Sequence, residues 1–146
     1  MRIRIITMSV LAILMLATGL FAQMKFPAKV GYMNDDARVL TPEQVKSIDD
    51  KLRAYDKKTS LQFMVVVIKS LNGADRQQYT NALGRAWGVG QAETNNGLVL
   101  MISIGDRTSF LSTGYGMEAD LPDGIVGQIQ RDKLVPAMKA NKPFDG

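Results

Sequence analysis

The chain has 146 residues, with no cysteine and no histidine. That length suits one domain with a hydrophobic core. The missing residue types exclude disulfides, thiol nucleophiles, zinc–thiolate sites and a histidine general base. The formal net charge is +4, and without Arg2 and Arg4 in the leader 16 basic residues face 14 acidic ones. This near balance gives no electrostatic footprint for nucleic acid.

The first 22 residues have the features of a secretory signal peptide. A positive start precedes a mostly apolar run over residues 5–21, and Ala22 is followed by a polar residue. We therefore expect cleavage near Ala22 and a mature domain over 23–146. The alternative is an uncleaved membrane anchor, because the apolar run approaches the roughly 20 residues that span a bilayer. In either case the sequence predicts an exported domain, periplasmic or secreted.

The first elements after the leader are an edge strand and a helix. Residues 30–32 favour a short edge strand. Thr41 suits a helix N-cap, and Gln44 can close a capping box with it, so a helix is predicted from Pro42 to about residue 57. Its apolar residues at helical spacing, expected in the core, are Val45, Ile48, Leu52 and Tyr55.

Two buried-type strands alternate with helices. The run Leu61–Ile68 is apolar and rich in β-branched residues, as in a strand covered on both faces. An Asn72-Gly73 turn leads to Asp75 as N-cap of a second helix ending at Gly88, and Leu98–Ile104 is the next strand. This alternation predicts a parallel pair with a right-handed crossover. The apolar stripe of the second helix is Tyr79, Leu83 and Trp87, and Trp87 is interpreted as a core anchor.

A hairpin and a third helix complete the predicted fold. Residues 105–107 form a tight reversal, so Thr108–Thr113 is expected to return as an antiparallel strand. Pro122-Asp123 then opens a helix whose stripe contains Ile125, Ile129 and Leu134, and residues 136–146 are expected to trail off without a further terminal helix. The predicted fold is a three-layer α/β/α sandwich with a small mixed sheet, combining a parallel βαβ unit with an antiparallel hairpin strand.

This topology sorts the polar residues between the two ends of the sheet. The amino edge, where the parallel strands begin, collects Gly90, Asn95, Asn96 and 114–120. The carboxyl edge, where they end, collects acidic and amide residues, and ligands of open α/β sheets usually bind there. Two clusters therefore compete. The residues of the carboxyl-edge cluster are Asp35, Asp36, Asn72, Asp75 and Asp106.

Five ordered motifs resemble the TPM domain family of bacterial envelope proteins and of thylakoid-lumen proteins of photosystem repair. The resemblance covers about residues 28–146. It implies an α/β/α sandwich outside the cytoplasm, divalent-cation binding in some members, and the acid-phosphatase activity proposed for plant relatives. The motifs are Asn34-Asp35-Asp36-Ala37 with Leu40, Trp87-Gly88-Val89-Gly90, Asn95-Asn96-Gly97-Leu98, Arg107, and Gly114-Tyr115-Gly116-Met117-Glu118.

The resemblance assigns family positions to individual residues. Asp35 matches the early aspartate of the family, Asn96 and Gly97 match the end of its Asp-Asn-Gly motif, and Glu118 matches the acid after Gly-Tyr-Gly. Asn95 departs, because it stands where the family usually has aspartate. An amide still offers an oxygen but lacks the charge, which weakens a calcium or magnesium site.

The predicted function is binding of a divalent cation, calcium or magnesium, through oxygen ligands. The first ligand set is Asn95, Asn96, Glu118 and Asp120, and Asp35, Asp36 and Asp106 form the second. Each set also has an ordinary structural explanation in loops, turns and a helix approach.

Two alternative functions remain. One is a metal-dependent acid phosphatase in which Arg107 holds phosphate. The other is a non-catalytic module docking onto an envelope or membrane protein. The sequence leaves the oligomeric state open.

Overall fold

Four strands form one mixed sheet in the computed structural model, which describes residues 24–90, 93–117 and 123–146. The strand order is β1-β2-β3-β4; the first three strands are parallel and β4 is antiparallel to β3. The strands are β1 (Met33–Asp35), β2 (Gln62–Ile68), β3 (Gly97–Ser103) and β4 (Thr108–Thr113). The helices are α1 (Pro42–Thr59), α2 (Arg76–Ala86), α3 (Asp123–Ile129) and α4 (Val135–Lys139), with a π-helical segment (Gln130–Leu134) joining the last two.

Helices cover both faces of this sheet. Successive residues of β2 point to opposite faces, so Val66 packs under α2 while Val65 and Val67 pack under α1. The two clusters share only the sheet between them, which confirms the three-layer α/β/α sandwich. The α2 layer contains Met64, Val66, Tyr79, Leu83, Val99 and Met101, and the α1 layer contains Met33, Val65, Val67, Ile102 and Leu134.

Helix α1 begins with the predicted capping box. The Thr41 hydroxyl accepts a hydrogen bond from the Gln44 N–H at 3.3 Å, and the Gln44 side-chain oxygen accepts one from the Thr41 N–H at 3.0 Å. The helix extends to Thr59 and ends at Ser60, whose φ of 60° is left-handed. The capping box satisfies two N–H groups at the helix start that have no partner within the helix.

The segment before β1 lies along α2 and differs from the prediction. Residues 30–32 form no strand, and a bend lies at Gly31 and Tyr32, because the Asn34 side-chain oxygen accepts hydrogen bonds from the N–H groups of Val30 and Gly31. Further back, the Trp87 indole donates to the Pro27 carbonyl at 3.2 Å. Trp87 also packs against the α2 layer, as expected of a core anchor.

Three expected core positions are wrong. Tyr55 is 48% exposed; Asp56 takes the inward position instead, because its carboxylate accepts the hydroxyl of Tyr32. In the third helix, Ile125 and Ile129 are exposed, and Val126 and Leu134 are buried. The wider turn of the π-helical segment changes the helical register, which the regular spacing could not indicate.

The chain after Leu134 is also more ordered than predicted. The backbone continues into α4, where Pro136 occupies an early position that tolerates proline, and a 3₁₀ turn spans Pro143–Asp145. Across the described ranges, no helix is both long and apolar enough to cross a bilayer.

Candidate functional site

Two loops meet closely at the amino edge. A Cβ atom on Gly114 would overlap the carbonyl oxygen of Asn95, and one on Gly116 would overlap that of Thr94. The Gly114 N–H also donates to the Gly97 carbonyl at 2.8 Å. Glycine is required here because any side chain would push the two loops apart. The loop before β3 and the loop after β4 therefore share one end of the sheet.

The two asparagines at this edge have different surroundings. Asn95 is exposed and its φ is 47°, a left-handed conformation that asparagine tolerates better than most residues. The Asn96 amide donates to the Ser60 carbonyl, and its own backbone carbonyl accepts the Gln62 N–H at 3.2 Å. These bonds orient the Asn96 side chain and tie the loop to the start of β2.

The acidic partners predicted for these asparagines, Glu118 and Asp120, lie outside the described residues. Within residues 24–90, 93–117 and 123–146, no three acidic side chains are grouped so that they could hold a metal ion. A hard cation of the calcium type takes six to eight oxygen ligands. Of the first predicted ligand set, the described part of the amino edge contains the amide side chains of Asn95 and Asn96.

Asp35, at the carboxyl edge, holds the loop that leads into α1. One carboxylate oxygen accepts the N–H of Val39 at 3.2 Å, and the other accepts that of Leu40 at 2.8 Å. Asp36 is exposed. The internal bonds of Asp35 give it a structural task at this position.

Asp106 fastens the β3–β4 turn to the β2–α2 connection. Its carboxylate accepts hydrogen bonds from the Ser103 hydroxyl at 2.5 Å, the Leu71 N–H at 2.6 Å and the Ser70 hydroxyl at 3.4 Å. The bond from Ser103, followed by that from Leu71, lowers the pKa of Asp106. Arg107 next to it is exposed, with a left-handed φ of 50°.

Asp49 is an important carboxylate that the sequence reasoning missed. It accepts hydrogen bonds from the N–H groups of Tyr32 at 2.6 Å and Met33 at 3.0 Å, and it pairs with Arg53 at 2.9 Å. Burial raises its pKa, but the bonds from Met33, Arg53 and Tyr32 outweigh burial and leave the pKa lowered. In the sequence, the four-residue spacing of Asp49 and Arg53 indicates only an ion pair on a helix, so it gave no sign of the bonds to Tyr32 and Met33.

An open cavity of about 550 Å³ lies beside β1. Met33 and Leu40 contribute apolar surface, and Asp35, Arg38 and Asp49 contribute charge. Of the predicted ligands it includes Asp35 alone, whose carboxylate is already engaged by backbone N–H groups.

A protein-family model described as the TPM domain matches residues 33–146. The match includes all four strands and the helices on both faces of the sheet. No curated protein matches the chain.

Several solved structures are similar to this chain. The N-terminal domain of a protein from P. gingivalis, solved by NMR, is 32% identical, with 78% of this chain and 73% of that chain covered and a TM-score of 0.72. The N-terminal domain of cg2496 from Corynebacterium glutamicum is 15% identical, with coverages of 83% and 75% and a TM-score of 0.62. BA42 from the psychrophilic bacterium Bizionia argentinensis is 20% identical, with coverages of 73% and 72% and a TM-score of 0.63. The last two likenesses concern the fold alone.

Proposed function

The chain belongs to the TPM domain family, and on this premise we propose that it is an exported domain that binds a divalent cation, calcium or magnesium. The cation would lie at the amino edge of the sheet. Its oxygen ligands would come from Asn95 and Asn96, with Glu118 and Asp120 from the residues after Gly-Tyr-Gly. The observation that carries this proposal is the close approach of Gly114 to the Asn95 carbonyl.

The state of the carboxylates favours the amino edge over the carboxyl edge. Asp35 and Asp106 already accept five hydrogen bonds between them from backbone N–H groups and serine hydroxyls. A cation there would compete with these donors for carboxylate lone pairs and would loosen two connections of the fold. Asp75 is engaged as the N-cap of α2, so Asp36 is the remaining acid of that cluster, and one carboxylate is a poor cation site.

The position of Arg107 favours cation binding over phosphatase activity. Arg107 follows the end of β3, whereas Asn96 directly precedes its start. Strands rise about 3.3 Å per residue, so the seven-residue β3 separates the two by about 20 Å. Arg107 cannot hold a phosphate over a cation at the amino edge. The chain has no histidine or cysteine, so a phosphatase would depend on a metal-bound water. That water and the phosphate contact would have to lie at the same edge of the sheet.

Asn95 offers the sharpest test. Asn95→Gly removes the side-chain oxygen and keeps the left-handed backbone, and we expect calcium affinity to fall on the order of tenfold, or about 1.4 kcal/mol. Asn95→Asp adds the charge that the family usually has there, so we expect tighter binding. Isothermal calorimetry with calcium and with magnesium measures both changes.

Asn72→Gly is a matched control for this substitution. Asn72 is exposed and has a left-handed φ of 51°, but it lies at the carboxyl edge. Its replacement should leave the affinity unchanged. Calcium at a hundred times its dissociation constant should add about 2.7 kcal/mol to the free energy of unfolding. If neither cation nor chelator moves the melting temperature, the proposal fails.

Further assays distinguish cation binding from the alternative functions. Release of phosphate from an aryl phosphate that stops with chelator and with Glu118→Ala would establish the enzyme. Cation-dependent stabilisation without turnover would establish binding. A chemical-shift titration with calcium locates the site, because shifts at Asp35 and Asp106 rather than Asn95 would transfer it to the carboxyl edge. Specific retention of an envelope or membrane protein by a domain that ignores cations would support the docking module instead.

A further inference from the structure

We propose that β4 pairs antiparallel with β4 of a second copy of this chain, so that two sheets join into one. β4 ends the sheet, and no strand of the described ranges pairs with its outer side. This inference is independent of the proposed cation site, because it rests on the backbone of β4 and on its side chains.

The register of the hairpin shows which backbone groups face outward. The Gly114 N–H donates to the opposite Gly97 carbonyl, so hydrogen-bonded pairs continue at every second position through Val99–Ser112 and Met101–Phe110. The residues between them direct their N–H and C=O groups away from β3. These outward residues are Ser109, Leu111 and Thr113.

β4 lacks the features by which edge strands avoid pairing. It has six residues, none charged and none proline, and its register with β3 contains no bulge. Natural edges are usually shortened, charged, interrupted by proline or bent. The uncharged run is Thr-Ser-Phe-Leu-Ser-Thr.

The opposite edge of the sheet is protected. β1 has three residues and includes Asp35. The N–H of Met33 is occupied by the carboxylate of Asp49. In the described sheet, the β4 edge is therefore the one open to pairing, and two copies joined through β4 form a closed pair rather than a fibre.

Side-chain hydrogen bonds on both faces of the sheet hold β4 in place. The Ser112 hydroxyl donates to Asn81 of α2 at 2.6 Å on one face, and that of Ser109 donates to Gln130 at 2.9 Å on the other. These contacts fix β4 from above and below the sheet plane. The Ser109 and Ser112 hydroxyls are thereby engaged within the chain, and the outward backbone groups of β4 remain for a partner.

Self-pairing about Leu111 matches like with like. A two-fold axis there places Ser109 of one copy opposite Thr113 of the other, and Leu111 opposite Leu111. These are three pairs of outward residues, each able to form two backbone hydrogen bonds. The apolar pair is favourable across strands, and no like charges meet. This complementarity is why the occupant is a second copy rather than an unrelated peptide.

The test uses charge swaps across this register. In Ser109→Lys/Thr113→Lys each lysine faces another lysine, and in Ser109→Asp/Thr113→Asp each aspartate faces an aspartate. Sedimentation velocity from about 1 µM to 1 mM should show a concentration-dependent dimer for the unmodified protein, since a single strand pair makes a small interface. Each charged variant should dissociate at least about tenfold more readily. An equimolar mixture should restore a dimer, because every lysine then faces an aspartate.

The control carries the same added charge at the far edge. Val30 and Val39 are 81% and 38% exposed on the β1 side, so Val30→Lys/Val39→Lys should dimerise like the unmodified protein. Circular dichroism checks that the variants fold. A monomeric unmodified protein, charged variants that still dimerise, or a mixture that stays monomeric would overturn the proposal, and so would capture of extended peptides by a monomer.

A cross-link tests the register even if the charged variants unfold. The chain contains no cysteine, so Leu111→Cys introduces the one thiol that can oxidise. Residues in a hydrogen-bonded pair have Cα atoms about 5.5 Å apart, within the range of a disulfide. Mild oxidation should give a covalent dimer, and Val30→Cys should not. Equal cross-linking of both variants would count against pairing through β4.

Discussion

Asp49 joins α1 to the first strand through backbone rather than through another side chain. Its carboxylate accepts the N–H groups of Tyr32 and Met33, which precede it by 17 and 16 residues. Arg53, which is half exposed, adds little because water screens an exposed ion pair. The Asp49 bonds fix the position of α1 along β1. They also protect the β1 edge of the sheet from pairing with another strand.

Replacing Asp49 should destabilise the fold. Asp49→Ala leaves two N–H groups without their acceptor, and since bonds to charged acceptors contribute about 1.5 to 3 kcal/mol each, we expect a loss of about 3 kcal/mol or more. Urea unfolding measures this loss. Asp50→Ala is the control: Asp50 is more exposed and pairs with Lys46 on the surface, so its loss should stay within about 0.5 kcal/mol. Equal losses in both variants would refute the role of Asp49.

The effect of Asp49 should depend on pH. Its pKa is lower in the folded state than the ordinary value of about 3.9, so its contribution is fully present above that value and is lost as the pH falls through the folded pKa. The difference in melting temperature between the protein and Asp49→Asn should therefore be constant near neutrality and shrink below about pH 4. A difference that grows on acidification would show that another group is responsible.

Side chains were predictable where topology alone determined their neighbours. The meeting of Asn95 with Gly114 follows from a hairpin that returns to its own start, and the turn at Asp106 follows from residue type. The task of Asp49 did not follow, because its partners are N–H groups of a distant segment and leave no mark in the local sequence. Glu118 and Asp120 remain predictions.

Helices and strands were predictable where their signals are local. The capping box at Thr41, the N-cap at Asp75 and the boundaries of β4 agree with the sequence pattern. The bend at Gly31 and Tyr32 depends on the buried side chain of Asn34, and the π-helical segment depends on packing around Leu134. The first is a local side-chain hydrogen bond that strand propensity does not register, and the second is a tertiary effect that overrides the local pattern.

The capping box allows a test at the level of one helix. Thr41→Ala removes the hydroxyl that accepts the Gln44 N–H, and we expect a loss of about 1 kcal/mol in the free energy of unfolding. Thr41→Ser keeps the hydroxyl and should recover most of that loss. Chemical denaturation of the three proteins provides the measurement, and a serine variant as unstable as the alanine variant would show that the methyl group matters more.

The two helical layers should unfold together, because each rests on the same strands. β2 contributes Val66 to one layer and Val65 and Val67 to the other, so neither layer can be lost without exposing the sheet. Single domains of up to about 150 residues usually unfold in one transition. The α/β/α architecture could be predicted from the alternation of elements because that alternation admits few topologies.

Trp87 makes this cooperativity measurable. It is the sole tryptophan and lies on the α2 layer, whereas far-ultraviolet dichroism reports every helix. We expect the two signals to give the same denaturation midpoint, both in the protein and in Leu83→Ala. That substitution opens a cavity under α2 and should cost about 2 to 5 kcal/mol. A tryptophan transition that precedes the loss of helix would show that the α2 layer melts separately.

The strand order has a consequence for how the chain can fold as it emerges. Each strand pairs only with its immediate predecessor and successor in sequence. None has to be inserted later between two strands that have already joined. The sheet can thus be assembled by addition at one side, in the order in which the chain is synthesised, with only the connection to the preceding strand to close at each step.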